Sequence, residues 1–213
     1  MDDTNILTYG GSTERNCKIL EETHRKCLDW AATHGAKFTP EKYEVIHLTR
    51  TPRRFNITAA PIFGTVRLDT KQHIRVLGVQ IDTKLRWGPH MTKVKEKTVS
   101  QLLALGRITA STWGAGFAKA KLVCDTVVKP ALLYGAGVWY NPQGTVHARK
   151  AIDQQLEVAQ NGLLRKVLGA YRAVNGRILE KEADTPPITL ILERLAAKAV
   201  RRYATLKGGR TIQ

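Results

Sequence analysis

The spacing of apolar residues changes period along the chain, and each period predicts an element. Between Ser12 and Gly35, Cys17, Leu20, Cys27, Leu28 and Ala31 recur at about 3.6 residues, which predicts an amphipathic helix. Ser12 or Thr13 would cap its start, and Gly35 would stop it. The run before it, Asp3 to Tyr9, reads as a short apolar strand closed by Gly10 and Gly11. After Pro40, which keeps the helix from continuing, YEVIHL reads as a second strand. The first 48 residues are therefore expected to form a compact β-α-β piece. The polar, proline-punctuated LTRTPRRFNITAAP predicts a loop with Arg50, Arg53 and Arg54 exposed. Two further strands are expected, around Ile62 to Leu68 and around Ile74 to Ile81. Gly78 lies inside the second, where it predicts a bulge or the close approach of another backbone.

From Gly88 the period becomes helical for the rest of the chain. Met91, Val94, Thr98, Leu102 and Leu105 form one stripe, with Lys93, Lys95 and Lys97 projecting elsewhere. A more apolar stretch from Phe117 to Trp139 is expected to bend or break near Pro130. A helix from Val146 to Leu168 carries Ile152, Leu156, Ala159, Leu163 and Val167. Asn175 should cap a short helix ending near Ala183, and Pro186-Pro187 should open a last one through Leu192, Leu195, Ala199 and Tyr203. The fold class predicted is α+β: a small N-terminal β-sheet with one helix, followed by an α-helical bundle. The expected division is 1–86 and 87–213, with a frayed KGGRTIQ tail.

Length and composition narrow the possibilities. At 213 residues with 43% hydrophobic and 24% charged residues, the chain can bury a sizeable core and is not of disordered type. No targeting segment is read at the N-terminus. The longest apolar run, ALLYGAGVWY, is shorter than the ~20 residues of a bilayer span. An intracellular location, with the nucleus open to it, is expected; secretion and membrane association are not. Cys17, Cys27 and Cys124 are odd in number and have no CxxC spacing, which argues against a disulfide framework or zinc knuckle. Cys17, His24, Cys27 and His34 share one expected helix and cannot converge on one ion.

Charge changes the picture most. Of a net +16, residues 1–70 hold 10 Lys/Arg against 9 Asp/Glu, a balance of +1, and residues 71–213 carry the remaining +15. So one-sided a distribution implies a polyanionic partner for the later part, nucleic acid first among them. Trp87, Trp113 and Trp139 could stack on bases but are read as core.

Six short stretches, in order, then carry a resemblance. MDDTNIL is similar to the tail of a (Y/F)-x-D-D box, with Met1 at the variable position. GAKFTPEKYEVI, RVLGVQID and LRWGPHM follow, and beyond them come VKPALLYGAGVW and QNGLLRKVLGAYR. Together they resemble the later palm and the thumb of reverse transcriptases from non-LTR (LINE-type) retrotransposons. By this resemblance 1–86 would be a partial palm, from the DD box through the primer-grip hairpin, and 87–213 the thumb and post-thumb region.

The resemblance implies roles. Nucleotidyl transfer uses two divalent cations about 3.5–4 Å apart, which demands clustered carboxylates. Asp2 would be the stronger ligand for Mg2+ and Asp3 an accessory one. Lys42 would assist pyrophosphate departure, with a solvated turn lysine as the bland alternative. Leu77, Gly78 and Val79 would form the primer grip, against an ordinary bulged strand. Lys93, Lys95 and Lys97 would contact the phosphates of an RNA template with a DNA primer, or of an RNA/DNA duplex.

The chain departs from the family in lacking the upstream palm aspartate, the fingers and the aromatic residue before the DD pair. It is therefore expected to be a truncated fragment that binds nucleic acid but does not polymerise alone. A separate fingers-palm polypeptide could complete it across an exposed apolar edge near Ile6. The reading from another class is a non-enzymatic basic helical interaction protein.

Overall fold

The computed structural model describes residues 4–109, 114–144 and 146–205, the side chains of 146–148 excepted. The fold is α+β, and the chain divides into two compact units, Met1–His90 and Met91–Gln213.

In the first unit, helix α1 spans Thr13–His34. The Ser12 side chain accepts a hydrogen bond from the Arg15 N–H, satisfying one of the four orphan donors of the first turn, and Gly35 ends the helix at φ +66°. Thr13, Cys17 and Ala31 are buried on one stripe, whereas Leu28, expected on it, lies exposed. Glu14 accepts from Ser12, Thr13 and the Asn56 amide, tying the helix start to the loop that follows the short 3-10 turn Pro52–Arg54. Those hydrogen bonds, the Ser12 one foremost, pull its carboxyl down to about 2. Arg50, Arg53 and Arg54 are exposed, as expected.

The strands differ from expectation. Each of the two later apolar runs folds back on itself, so both become antiparallel hairpins: β1 (Ile62–Phe63) with β2 (Val66–Arg67), and β3 (His73–Val76) with β4 (Val79–Asp82). Val76 pairs with Val79, so Leu77 and Gly78 form a two-residue turn instead of a bulge within a strand. The β-α-β piece is not formed among the described residues. Thr4–Tyr9 is not a strand, and YEVIHL contributes one isolated parallel bridge, Val45 to Thr70.

The second unit is helical: α2 (Gly88–Ile108, beginning at the end of the first unit), α3 (Phe117–Val123), α4 (Lys129–Leu132), α5 (Ala136–Trp139), α6 (Val146–Leu168), α7 (Gly176–Glu182) and α8 (Ile188–Thr205). Between α3 and α4 the helix widens into a π turn, Cys124–Val128. That turn lets the chain pass Pro130 unbroken, because a proline ring ordinarily collides with the carbonyl four residues back. The break comes later, at Gly135 with φ +69°. Ala120, Cys124, Val128, Leu132, Ala136 and Trp139 make one buried seam. Asp125 clamps its flank through Lys121 at 2.7 Å and Lys129 at 2.5 Å. Burial alone would raise the Asp125 carboxyl, but the two lysines bring it below its ordinary value.

By length and composition Phe117–Trp139 is apolar enough to cross a membrane, which counting ALLYGAGVWY missed. Gly135 interrupts that stretch, and 28% of its most apolar part is buried in the structure. On the same side α5 packs on α8 so closely that a Cβ on Gly137 would stand 2.7 Å from the Ala199 Cβ. Asn175 caps α7 through the Arg177 N–H, and Leu164, Leu179 and Ala183 close a cluster covered by Leu168, Ala170 and Val174. On α8, Leu192 and Ala196 are buried, but Tyr203 is exposed.

Candidate functional site

The first unit holds a groove of about 800 Å³. Helix α1 lines it with Leu20, His24 and Cys27. Thr4–Thr8 and Tyr43–Thr49 also line it, as do Ile74, Val76 and Ile81 of the β3–β4 hairpin. Lys42, the last residue of a 3-10 turn (Pro40–Lys42), is exposed and contributes to the lining. A small aromatic cluster stands beside it. His24 stacks on Phe63 at 4.3 Å, and its Nε2 shares a 3.0 Å hydrogen bond with the Tyr43 hydroxyl. Burial lowers the His24 pKa and raises that of Tyr43, so both are held neutral near pH 7. In the sequence His24 is weighed only as a metal ligand while Tyr43 and Phe63 read as strand residues, and nothing in the spacing of His24 and Tyr43 pairs them.

The β3–β4 hairpin places Leu77, Gly78 and Val79 differently from one another. Val79 is buried, whereas Leu77 is 68% exposed at the tip. The tip has positive φ at both positions, +46° at Leu77 and +88° at Gly78, the pattern of a type I′ turn. Gly78 suits it, but leucine there is strained by its Cβ. Two more residues at positive φ, Leu85 and Trp87, follow in the connector to α2. Asp82 builds that connector by accepting the Arg86 N–H at 3.0 Å and the Trp87 N–H at 2.7 Å. Of the four non-glycine residues with positive φ among those described, three thus fall within residues 77–87, and such strain collects at functional elements. Sequence patterning gave Asp82 no role.

On α2, Lys93, Lys95 and Lys97 are all exposed, while Met91, Val94, Thr98 and Leu105 are buried. At about 100° per residue, Lys93 and Lys97 share a face and Lys95 lies about 200° round from Lys93. The three therefore flank the buried stripe instead of forming one row. Asp2 and Asp3 lie outside the described residues, as do Trp113 and the KGGRTIQ tail. Trp139 is 2% exposed, a core residue, with its Nε1 donating to the Tyr134 carbonyl at 2.8 Å.

Among the described residues no group of three His, Cys, Asp or Glu side chains is placed to hold a metal ion. Burial also raises the Cys17 and Cys124 thiols, which leaves them poor ligands and poor nucleophiles.

With this geometry in view, comparison with known proteins is informative. No family model and no solved structure matches the chain. A 115 kDa protein in type-1 retrotransposable element R1DM of Drosophila melanogaster is 25% identical over 203 residues, 92% of this chain and 19% of that protein. The chain's homologues are non-LTR retrotransposon polymerase proteins. They include the RNA-directed DNA polymerase from mobile element jockey of the same fly, 22% identical over 94% of this chain and 21% of its own length. A Pol polyprotein from a type-1 retrotransposable element of Nasonia vitripennis is 24% identical over 71% of this chain and 38% of its own length. The chain spans about a fifth of the length of the first two retrotransposon relatives.

Proposed function

We propose that this chain is the later-palm and thumb portion of a non-LTR retrotransposon reverse transcriptase, and that its retained capacity is to bind an RNA template with its DNA primer, or the RNA/DNA duplex. The observation that carries this is the coincidence of two facts. Similarity to a retrotransposon RNA-directed DNA polymerase runs over 94% of the chain, and +15 of its +16 net charge is held by residues 71–213. A surface of that sign gains binding free energy from the counterions that phosphates release. Lys93 and Lys97 are the contacts on one face of α2 and Lys95 a contact on the other. The Leu77-Gly78 tip meets the primer, and Lys42 stands by the departing pyrophosphate.

In this reading Asp2 and Asp3 serve Mg2+ together with carboxylates from further polypeptide. The described residues provide no cradle of their own, so no catalytic step is assigned to a metal ion on this chain. Polymerisation then requires that further polypeptide.

The test is titration of the purified chain with a labelled RNA/DNA duplex across salt. Log affinity should fall linearly with log salt, and the double substitution Lys93→Ala, Lys97→Ala should lower the slope by about 2. A slope that stays flat, or one that the substitutions leave unchanged, rejects the reading and favours a basic interaction module with a protein partner.

A further inference from the structure

Three threonines in this chain stand directly before a proline: Thr39, Thr51 and Thr185. Two of them share a longer pattern, threonine-proline with a basic residue third after the threonine, Lys42 in one case and Arg54 in the other. The same two share a local fold. Each proline opens a three-residue 3-10 turn, Pro40–Lys42 and Pro52–Arg54, and in each the threonine carbonyl accepts from the N–H of the basic residue at 3.0 Å. Side chains three apart on such a turn fall on the same side, so Lys42 accompanies Thr39 and Arg54 accompanies Thr51. Thr39 and Thr51 are exposed, and neither hydroxyl is hydrogen-bonded among the described residues. Thr185 is their opposite. It is 5% exposed, its hydroxyl donates to the Ala183 carbonyl and accepts from Lys129 Nζ, both at 3.2 Å, and Ile188 stands where the basic residue would.

We propose that Thr39 and Thr51 are phosphorylation sites for a proline-directed protein kinase that uses ATP. An enzyme cleft with no acceptor for the N–H after the target residue penalises every residue there but proline, which has none to bury unpaired. A cation two positions further on meets an acidic group of the enzyme, the kind of charge pattern by which kinases select substrates. Thr39 is already extended, at φ −105° and ψ 103°. The turns that follow the two threonines are closed by short-range backbone bonds alone, so they open readily to fit an extended cleft. In the transfer, the threonine Oγ attacks the γ-phosphorus of ATP, and the bond from that phosphorus to the β-phosphate oxygen breaks. ADP leaves, and the hydroxyl proton passes to the kinase's catalytic carboxylate.

The phosphates would reverse the charge of the N-terminal part. Each adds about −1.5 to −2 at pH 7, so two of them turn the +1 balance of residues 1–70 into about −2 to −3. The cations nearest in sequence are uncommitted: Lys42, Arg50, Arg53 and Arg54 make no ion pair among the described residues. A phosphate on Thr51 has Arg54 on its own side of the turn. On Thr39 the corresponding cation is Lys42, which is drawn to the phosphate and away from the groove it helps to line. The inference does not rest on nucleic-acid binding.

The test incubates the full chain with a cyclin-dependent kinase and ATP and locates phosphate by mass spectrometry. Thr39 and Thr51 should be labelled and Thr185 should not. Arg54→Ala should slow labelling of Thr51 by about tenfold or more, the worth of one charge-assisted contact, and leave Thr39 at the parent rate. Followed by phosphorus NMR, each phosphate should lose its second proton at lower pH than in the urea-unfolded chain, because a cation beside it favours the dianion. A threonine left without phosphate loses its assignment, and absence from both overturns the inference. Labelling of Thr185 at the same rate overturns it too, since the kinase would then be reading unfolded chain. An Arg54→Ala chain labelled like the parent overturns the kinase class, and equal NMR midpoints overturn the pairing across the turn. Any of these with the salt slope intact leaves the proposed function standing.

Discussion

The two units put their apolar residues to different ends. In the second, the seam from Ala120 to Trp139 and the side chains of Leu156, Leu163, Ile188 and Leu192 are all 3% exposed or less, so the helices have closed on one another. In the first, Ile6, Leu7 and Leu48 stand exposed around an open groove. The difference lies in what each element needs from its neighbours. A helix satisfies its backbone internally and needs only a face to pack against, whereas a strand leaves both edges unsatisfied until another strand arrives. An open groove in a region of strands is therefore a different thing from a loose helical core.

The comparison breaks most readily through truncation at matched leucines. Leu163→Ala should cost the second unit about 2–5 kcal/mol, because a fully enclosed side chain leaves a cavity. Leu20→Ala, on the groove floor, should cost the first unit less than about 1 kcal/mol, since water already reaches the site. Hydrogen exchange in each unit measures both, and equal losses would mean that the groove is as well packed as the bundle.

A smaller effect is expected at Gly137→Ala. The added Cβ meets Ala199 at 2.7 Å, and the overpacking should cost about 1–3 kcal/mol, read as a lower urea midpoint for the second unit. A neutral or stabilising result would show that α5 and α8 can separate freely.

The smallest effect should be pH dependence in the first unit. Burial lowers His24 and His90 below the usual imidazole value. As pH falls below about 6.5 the unfolded chain takes up protons that the folded one declines, so stability present above that value is lost on acidification. His24→Gln should weaken this dependence, measured as the shift in urea midpoint between pH 7.5 and 5.5. An unchanged dependence would leave His24 without a part in it.

What could be read from sequence follows the same division. The α6 bounds, the Asn175 cap and the Gly35 stop were all legible, because helix period and capping are local. The hairpins were not, since a type I′ turn is signalled by Asn-Gly or Asp-Gly and here it is made by Leu77-Gly78. The two missing strands were misread because alternation reports a strand's faces and says nothing of its partner. Asp82 went unnoticed for a related reason: its work is done through backbone N–H groups of Arg86 and Trp87, which carry no sequence signal. The placement of the Lys42 turn beside His24 and Tyr43 depends on tertiary contacts as well. Asp2 and Asp3, on which the sequence-based reading leaned, fall outside the described residues.

The π turn at Cys124–Val128 makes the length of the Phe117–Trp139 stretch a fixed quantity. Residues at a steady interval of four slip about 40° per step around an ordinary α-helix, and a locally wider coil takes up that slip midway. One residue more or fewer before Leu132 would turn its side chain about 100° about the axis, so this part of the chain can exchange residues far more freely than it can gain or lose them.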